Sequence, residues 1–131
     1  MSAEGWRHSF PDQIRYGDLD TNAHLNNVAV HGFFESARIA YLRGLFPDLD
    51  PLGRQGRFGM IVAETHVRYV SPGFYGERVR VDVKLAFQMV CADDERVIAE
   101  GWGTLVGYDY EQGRAHPLPE PIADRLRAEG A

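Results

Sequence analysis

Within the thirteen residues from Arg15 to Asn27 the chain places two aspartates, Asp18 and Asp20, one histidine, His24, and three asparagines, Asn22, Asn26 and Asn27. Carboxylates at this density can attack an electrophile, take a proton from water or bind a cation. A helix starting just after this run would aim its first N–H groups back at it, and its dipole would favour negative charge there. A carboxylate beside such amides is suited to acyl transfer: the carboxylate attacks or activates water while the amides stabilise the developing oxyanion.

Other chemistries fit less well. As a calcium loop, Asp18, Asp20 and Asn22 fill the first three ligand positions, but Ala23 and Ala29 stand where glycine and a bidentate glutamate are needed. Asp18, Asp20 and His24 as a transition-metal set have no further ligand motif beside them. There is no GxSxG elbow and no glycine-rich phosphate loop. Residue chemistry alone leaves two readings open. Asp20 is a catalytic carboxylate, or Asp20 and the asparagines only cap turns and the helix.

The elements that must position this run follow from the hydrophobic pattern. Ser9 to Tyr16 reads as a strand. Val30, Phe33, Phe34, Ala37, Tyr41 and Leu45 recur at three- and four-residue spacing, which predicts a helix to about Leu45 with Asn26 or Asn27 as its N-cap and Gly44 and Pro47 at its end. Gly32 inside that helix predicts a close approach by the sheet. Residues 47–59 read as a loop. Three strand-like runs come next: Met60 to Val70, then Val79 to Met89 with apolar residues at every second position, then Val97 to Tyr108. Turns are expected at Ser71-Pro72-Gly73, Ala92 to Glu95 and Glu111 to Gly113, with a short strand ending at Leu118-Pro119 and a small C-terminal helix. One helix followed by long antiparallel strands predicts an α+β fold in which the sheet wraps the helix. The exposed edges of such a sheet favour pairing with a second copy.

The run also resembles the signature of the 4-hydroxybenzoyl-CoA thioesterase family of hot-dog-fold acyl-CoA thioesterases. The matching residues are Tyr16, Asp18, Asp20, Ala23, His24, Leu25, Asn26 and Asn27, followed by Phe34-Glu35-Ser36-Ala37-Arg38. The similarity continues through Val62 to Tyr69, Tyr75-Gly76-Glu77 and Leu118-Pro119, in the family's order. It implies a hot-dog fold, an antiparallel sheet around one long central helix. It further implies hydrolysis of an acyl-CoA, or of an acyl-carrier-protein thioester, by Asp20 as nucleophile or general base. The Asn27 backbone amide would polarise the thioester oxygen. His24 and Asn26 are the candidate substrate contacts, although His24 also reads as a structural histidine that hydrogen-bonds the loop, since buried polar groups are paired. Asp18 is expected to order the loop. Glu35 could be read as the helix-borne base of another hot-dog branch, but its spacing to Arg38 favours a structural pair or an interface role. Ala23 departs from the family's glycine, which matters if that position needs positive φ. The acyl pocket is expected between two subunits of a homodimer or homotetramer. A non-catalytic acyl-thioester binder on the same scaffold is the competing reading. Neither a cofactor nor a metal is implied. Arg54, Arg57 and Arg68 are candidates for the CoA phosphates by location only.

Composition agrees with a folded protein: 131 residues, 44% hydrophobic and 25% charged, are expected to form a single domain spanning 1–131. The net charge of −5 with scattered basic residues argues against a nucleic-acid partner. A single cysteine, Cys91, rules out an internal disulfide. No apolar run reaches the roughly 18 residues of a membrane span, and no signal-like start is visible. The expected setting is cytoplasmic.

Overall fold

A computed structural model describes residues 6, 8–47, 58–84 and 86–130. The element order is β1 (His8–Gln13), a single 3-10 turn (Tyr16–Asp18), α1 (Asn27–Leu45), β2 (Phe58–Tyr69), β3 (Arg78–Val83), β4 (Ala86–Cys91), β5 (Val97–Asp109), β6 (Arg114–Ala115) and α2 (Glu120–Gly130). The strands form one antiparallel sheet in the order β1-β3-β4-β5-β2, with β6 added to β5. The fold is the expected α+β hot dog.

The helix forms where its period placed it, and its apolar stripe is the centre of the core. Val30, Phe33, Phe34, Ala37, Tyr41, Leu42 and Leu45 are all buried. They face the inward side chains of the sheet, among them Val79, Val81, Val83, Met89, Ile98 and Ala99. Phe34 stacks on Phe87, with ring centroids 5.1 Å apart and planes 17° from parallel. Gly101 is the point at which the Phe34 ring of the helix meets the sheet backbone. A Cβ there would stand 2.5 Å from the His66 carbonyl oxygen of the neighbouring strand and 3.1 Å from the Phe34 ring. Only glycine leaves room for both. β1 ends at Gln13, before Tyr16, because the chain turns at Tyr16–Asp18. Pro11 is tolerated in β1 because, among the described residues, that strand has a partner on one side only.

Two expectations are corrected. Gly32 is not the point of close approach: it lies on the exposed face of α1, and a Cβ there would meet nothing within 4 Å. The alternating run from Val79 to Met89 is not one strand. It is the hairpin of β3 and β4, in which Val83 pairs with Phe87. Residues joined by such a turn are an even number apart, so both keep the same facing and the period-2 pattern runs on through the reversal. No Gly, Pro or Asn marks the turn. The expected loop 47–59, with Arg54 and Arg57, falls largely outside the described residues.

Candidate active site

The loop before α1 is built by its own carboxylates. The Arg15 N–H donates to Asp18 Oδ2 (2.8 Å), and the Arg15 guanidinium lies 3.3 Å from the same oxygen. Asp18 thus closes the 3-10 turn that ends β1. The Asn26 N–H then donates to the Asp18 carbonyl (2.7 Å), and Leu19 bridges Leu25 across the loop. Between them Asp20 folds the tip around itself. Its Oδ1 accepts from the Asn22 N–H (2.8 Å) and the His24 N–H (3.2 Å), and its own N–H donates to the His24 carbonyl (2.8 Å). Among the described residues, Oδ2 accepts no hydrogen bond. The carboxylate is therefore oriented through one oxygen, with the other unengaged among the described residues.

Ala23, at the loop tip, has φ of +61°. This is the left-handed region, where a Cβ is unfavourable by about 1–2 kcal/mol. Replacing Ala23 with glycine removes that strain but adds about 0.4–1 kcal/mol of unfolded-state entropy. At the middle of both ranges Ala23→Gly is expected to raise stability by about 0.8 kcal/mol. Urea unfolding of the two proteins measures it, and a glycine variant no more stable than the parent would show that the loop adopts another shape.

The helix start is capped selectively. The Asn26 side chain accepts from the Val28 N–H (2.8 Å), and Val30 donates to the Asn26 carbonyl (3.3 Å). The Asn27 N–H has no partner among the described residues. A cleft of about 430 Å³ opens at this point, lined by Asp20, His24, Leu25, Asn27 and Val30 and, from the other side, by residues 69–73 and Ile98. Of the four site residues named from the sequence, Asp20, His24 and Asn27 share this cleft. Asn26 is not on its wall; its side-chain oxygen is committed to the helix cap. His24 packs edge-on against Phe74, centroids 5.4 Å apart.

The opposite wall was not singled out from the sequence. The Leu25 N–H donates to the Gly73 carbonyl (2.8 Å), and both Val70 and Ser71 donate to the Ile98 carbonyl, so the end of β2 is clamped against the loop. The Tyr69 hydroxyl lies 3.3 Å from both the Asn27 carbonyl oxygen and His31 Nε2. Arg96 holds this wall from behind: it pairs with Glu77 at 2.6 Å, donates to Ser71 Oγ and to the Pro72 carbonyl, and lies over the Phe74 ring. The Ser-Pro-Gly turn was the available signal, but it marks only a turn, and the pairing with residue 25 is long-range.

Other candidates lie elsewhere. Glu35 is exposed and sits 3.6 Å from Arg38. Arg68 pairs with Glu100 on the outer face of the sheet (3.2 Å). His8 meets Glu129, and His66 stacks on Trp102.

A sheet wrapped on one helix, with an acidic loop at that helix's start, is the architecture of the hot-dog thioesterases. Residues 14–126 match the family described as the Thioesterase-like superfamily, and the chain belongs to it. It is a thioester hydrolase by class. Among solved structures it is similar to a Thermus thermophilus thioesterase complexed with coenzyme A and Zn, at 32% identity, TM-score 0.75 and 98% coverage of each chain. A predicted thioesterase from Bacillus stearothermophilus shares 26% identity, with TM-score 0.71, covering 93% of this chain and 96% of that one. The 1,4-dihydroxy-2-naphthoyl-CoA thioesterase of Synechocystis has TM-score 0.78 at 15% identity, covering 91% of this chain and 94% of that one, a likeness of fold. Comparison with curated protein sequences found no match. Among the described residues no three His, Cys, Asp or Glu side chains are grouped to hold a metal. No helix of the described residues is long and apolar enough to cross a membrane.

Proposed function

We propose that the protein hydrolyses acyl-CoA thioesters, with Asp20 as the catalytic carboxylate and the Asn27 amide as an oxyanion donor. The observation that carries this reading is that Asp20 and Asn27 line one cleft at the start of α1, with a carboxylate oxygen and an amide N–H that have no other partner among the described residues. A thioester seated there has its carbonyl oxygen at the Asn27 N–H and at the positive end of the helix dipole. Two routes share this geometry. In one, Asp20 attacks the carbonyl carbon, the C–S bond breaks, and water then hydrolyses the acyl-aspartyl anhydride. In the other, Asp20 takes a proton from a water molecule that attacks the same carbon. Both yield a free acid and a thiol. The family membership and the coenzyme A carried by the Thermus relative favour a CoA thioester. His24, on the cleft wall beside Phe74, would contact the substrate, whereas Asn26 would act by holding the helix start.

The reading includes assembly of copies, as a homodimer or homotetramer. In its support, β2 pairs among the described residues with β5 on one side only, and Val28, Tyr69, Val70, Phe74 and Tyr75 are exposed apolar residues around the cleft. A partner laid over them would wall the acyl group off from water. The experiment is thiol release from short, long and aromatic acyl-CoAs by the purified protein. Turnover of at least one substrate supports hydrolysis. Binding across the panel without turnover would instead establish the non-catalytic acyl-thioester binder.

A further inference from the structure

We propose that the apolar cavity at the far end of α1 is a second binding site, for a monocarboxylic acid with a hydrocarbon or aromatic tail. The cavity holds about 330 Å³ and lies between the C-terminal half of α1, β5 and α2. That is at the small end of the range for ligand pockets, about 300–1,000 Å³. Its walls are mostly apolar, with Leu42 from the helix, Leu105 from the sheet and Leu126 from α2. It shares no lining residue with the Asp20 cleft. Along the helix axis Arg38 is eleven residues from Asn27, or roughly 16 Å at 1.5 Å per residue.

Two cations line this apolar space, Arg38 and Lys84. The Arg38 side chain is only 17% exposed, and Glu35, its single ion-pair partner among the described residues, is 3.6 Å away and 65% exposed. Arg38 donates no hydrogen bond among the described residues. Burial draws its guanidinium below the usual arginine range, and Glu35 pushes it back up only in part. Among the described residues no side-chain nitrogen or oxygen is both sealed from water and unpaired, so water reaches the unused Arg38 donors, and a charged acceptor entering the apolar cavity would replace that water with a stronger, charge-assisted bond. A carboxylate supplies that acceptor in two-point geometry, and an attached tail would occupy the space between Leu42, Leu105 and Leu126. A neutral alcohol or alkane would fill the same space but leave the guanidinium unpaired. The site requires no particular role for Asp20.

Octanoate, with 1-octanol as the uncharged control, tests this on the full chain by methyl NMR. Octanoate is expected to shift the Leu42, Leu105 and Leu126 methyls saturably, with 1-octanol binding at least about tenfold more weakly for want of a charge-assisted bond. Arg38→Met keeps the aliphatic stem and removes the charge. It should cut octanoate affinity by about tenfold or more while leaving 1-octanol affinity and thioester turnover unchanged. Shifts confined to Leu25, Val30, Val70 and Ile98 would place the acid in the Asp20 cleft and overturn the proposal. So would no saturation at millimolar octanoate, or equal octanoate affinity in Arg38→Met. If that variant fails to fold, Leu126→Trp, which fills the cavity from α2, decides: loss of the saturable octanoate shifts at Leu42 and Leu105 supports the site, and unchanged octanoate affinity overturns it.

Discussion

Asp20→Asn is expected to release thiol from an acyl-CoA at least about 100 times more slowly than the parent protein, the lower end of what a positioned base or nucleophile contributes. Asparagine is the informative replacement because of how Asp20 is held. The Asn22 and His24 N–H groups both donate to Oδ1, and the asparagine carbonyl can accept the same two bonds. The loop shape is therefore kept, and what is lost is the charge and nucleophilicity of the unengaged oxygen. Alanine would remove both acceptor bonds and mix a folding effect with a chemical one. The measurement is steady-state turnover of both proteins on the same substrate, with urea unfolding as the control for fold. Equal turnover in a folded Asp20→Asn protein would assign the carboxylate to loop construction alone.

The largest expected effect on stability lies at Phe34. Its side chain is 5% exposed, stacks on Phe87 and lies against Gly101. Phe34→Ala should cost about 3–5 kcal/mol, because it removes a buried ring and leaves a cavity that the surrounding structure cannot fully close. Collapse is resisted from both sides. The helix backbone is held by its own hydrogen bonds, and Gly101 is fixed by the pairing of β4 and β2 with β5 and has no side chain to move into the gap. Chemical denaturation measures the loss; a change below about 1 kcal/mol would mean that the core repacks freely, contrary to the dense packing expected of protein interiors.

Parts of the chain with a strong local signal were legible from the residues. The apolar stripe of α1, an asparagine cap at position 26 or 27 (the structure selects Asn26) and the hairpin turn at Ala92 to Glu95 depend on side chains within a few positions of each other. The same holds for the Asp18–Asp20 loop, whose hydrogen bonds close inside the run itself, and for Ala23, where the departure from glycine coincides with a positive φ. The resemblance then tied that loop to thioester chemistry. The Gly32 expectation failed because a glycine in a helix does not say which way its face points. The position that needs a glycine is Gly101, in a strand whose partner carbonyl leaves no room for a Cβ.

The order of the amino acids alone thus determined the helix, an asparagine cap, the acidic loop and the antiparallel strands. Only the folded chain decided where β3 reverses into β4, since alternation is blind to a turn that joins residues an even number apart. It also decided that the end of β2 and residues 71–73 wall the cleft opposite Asp20, and that Arg38 and Lys84 border one apolar cavity. These are contacts between distant segments, set by sheet register and helix packing, and no local pattern encodes them.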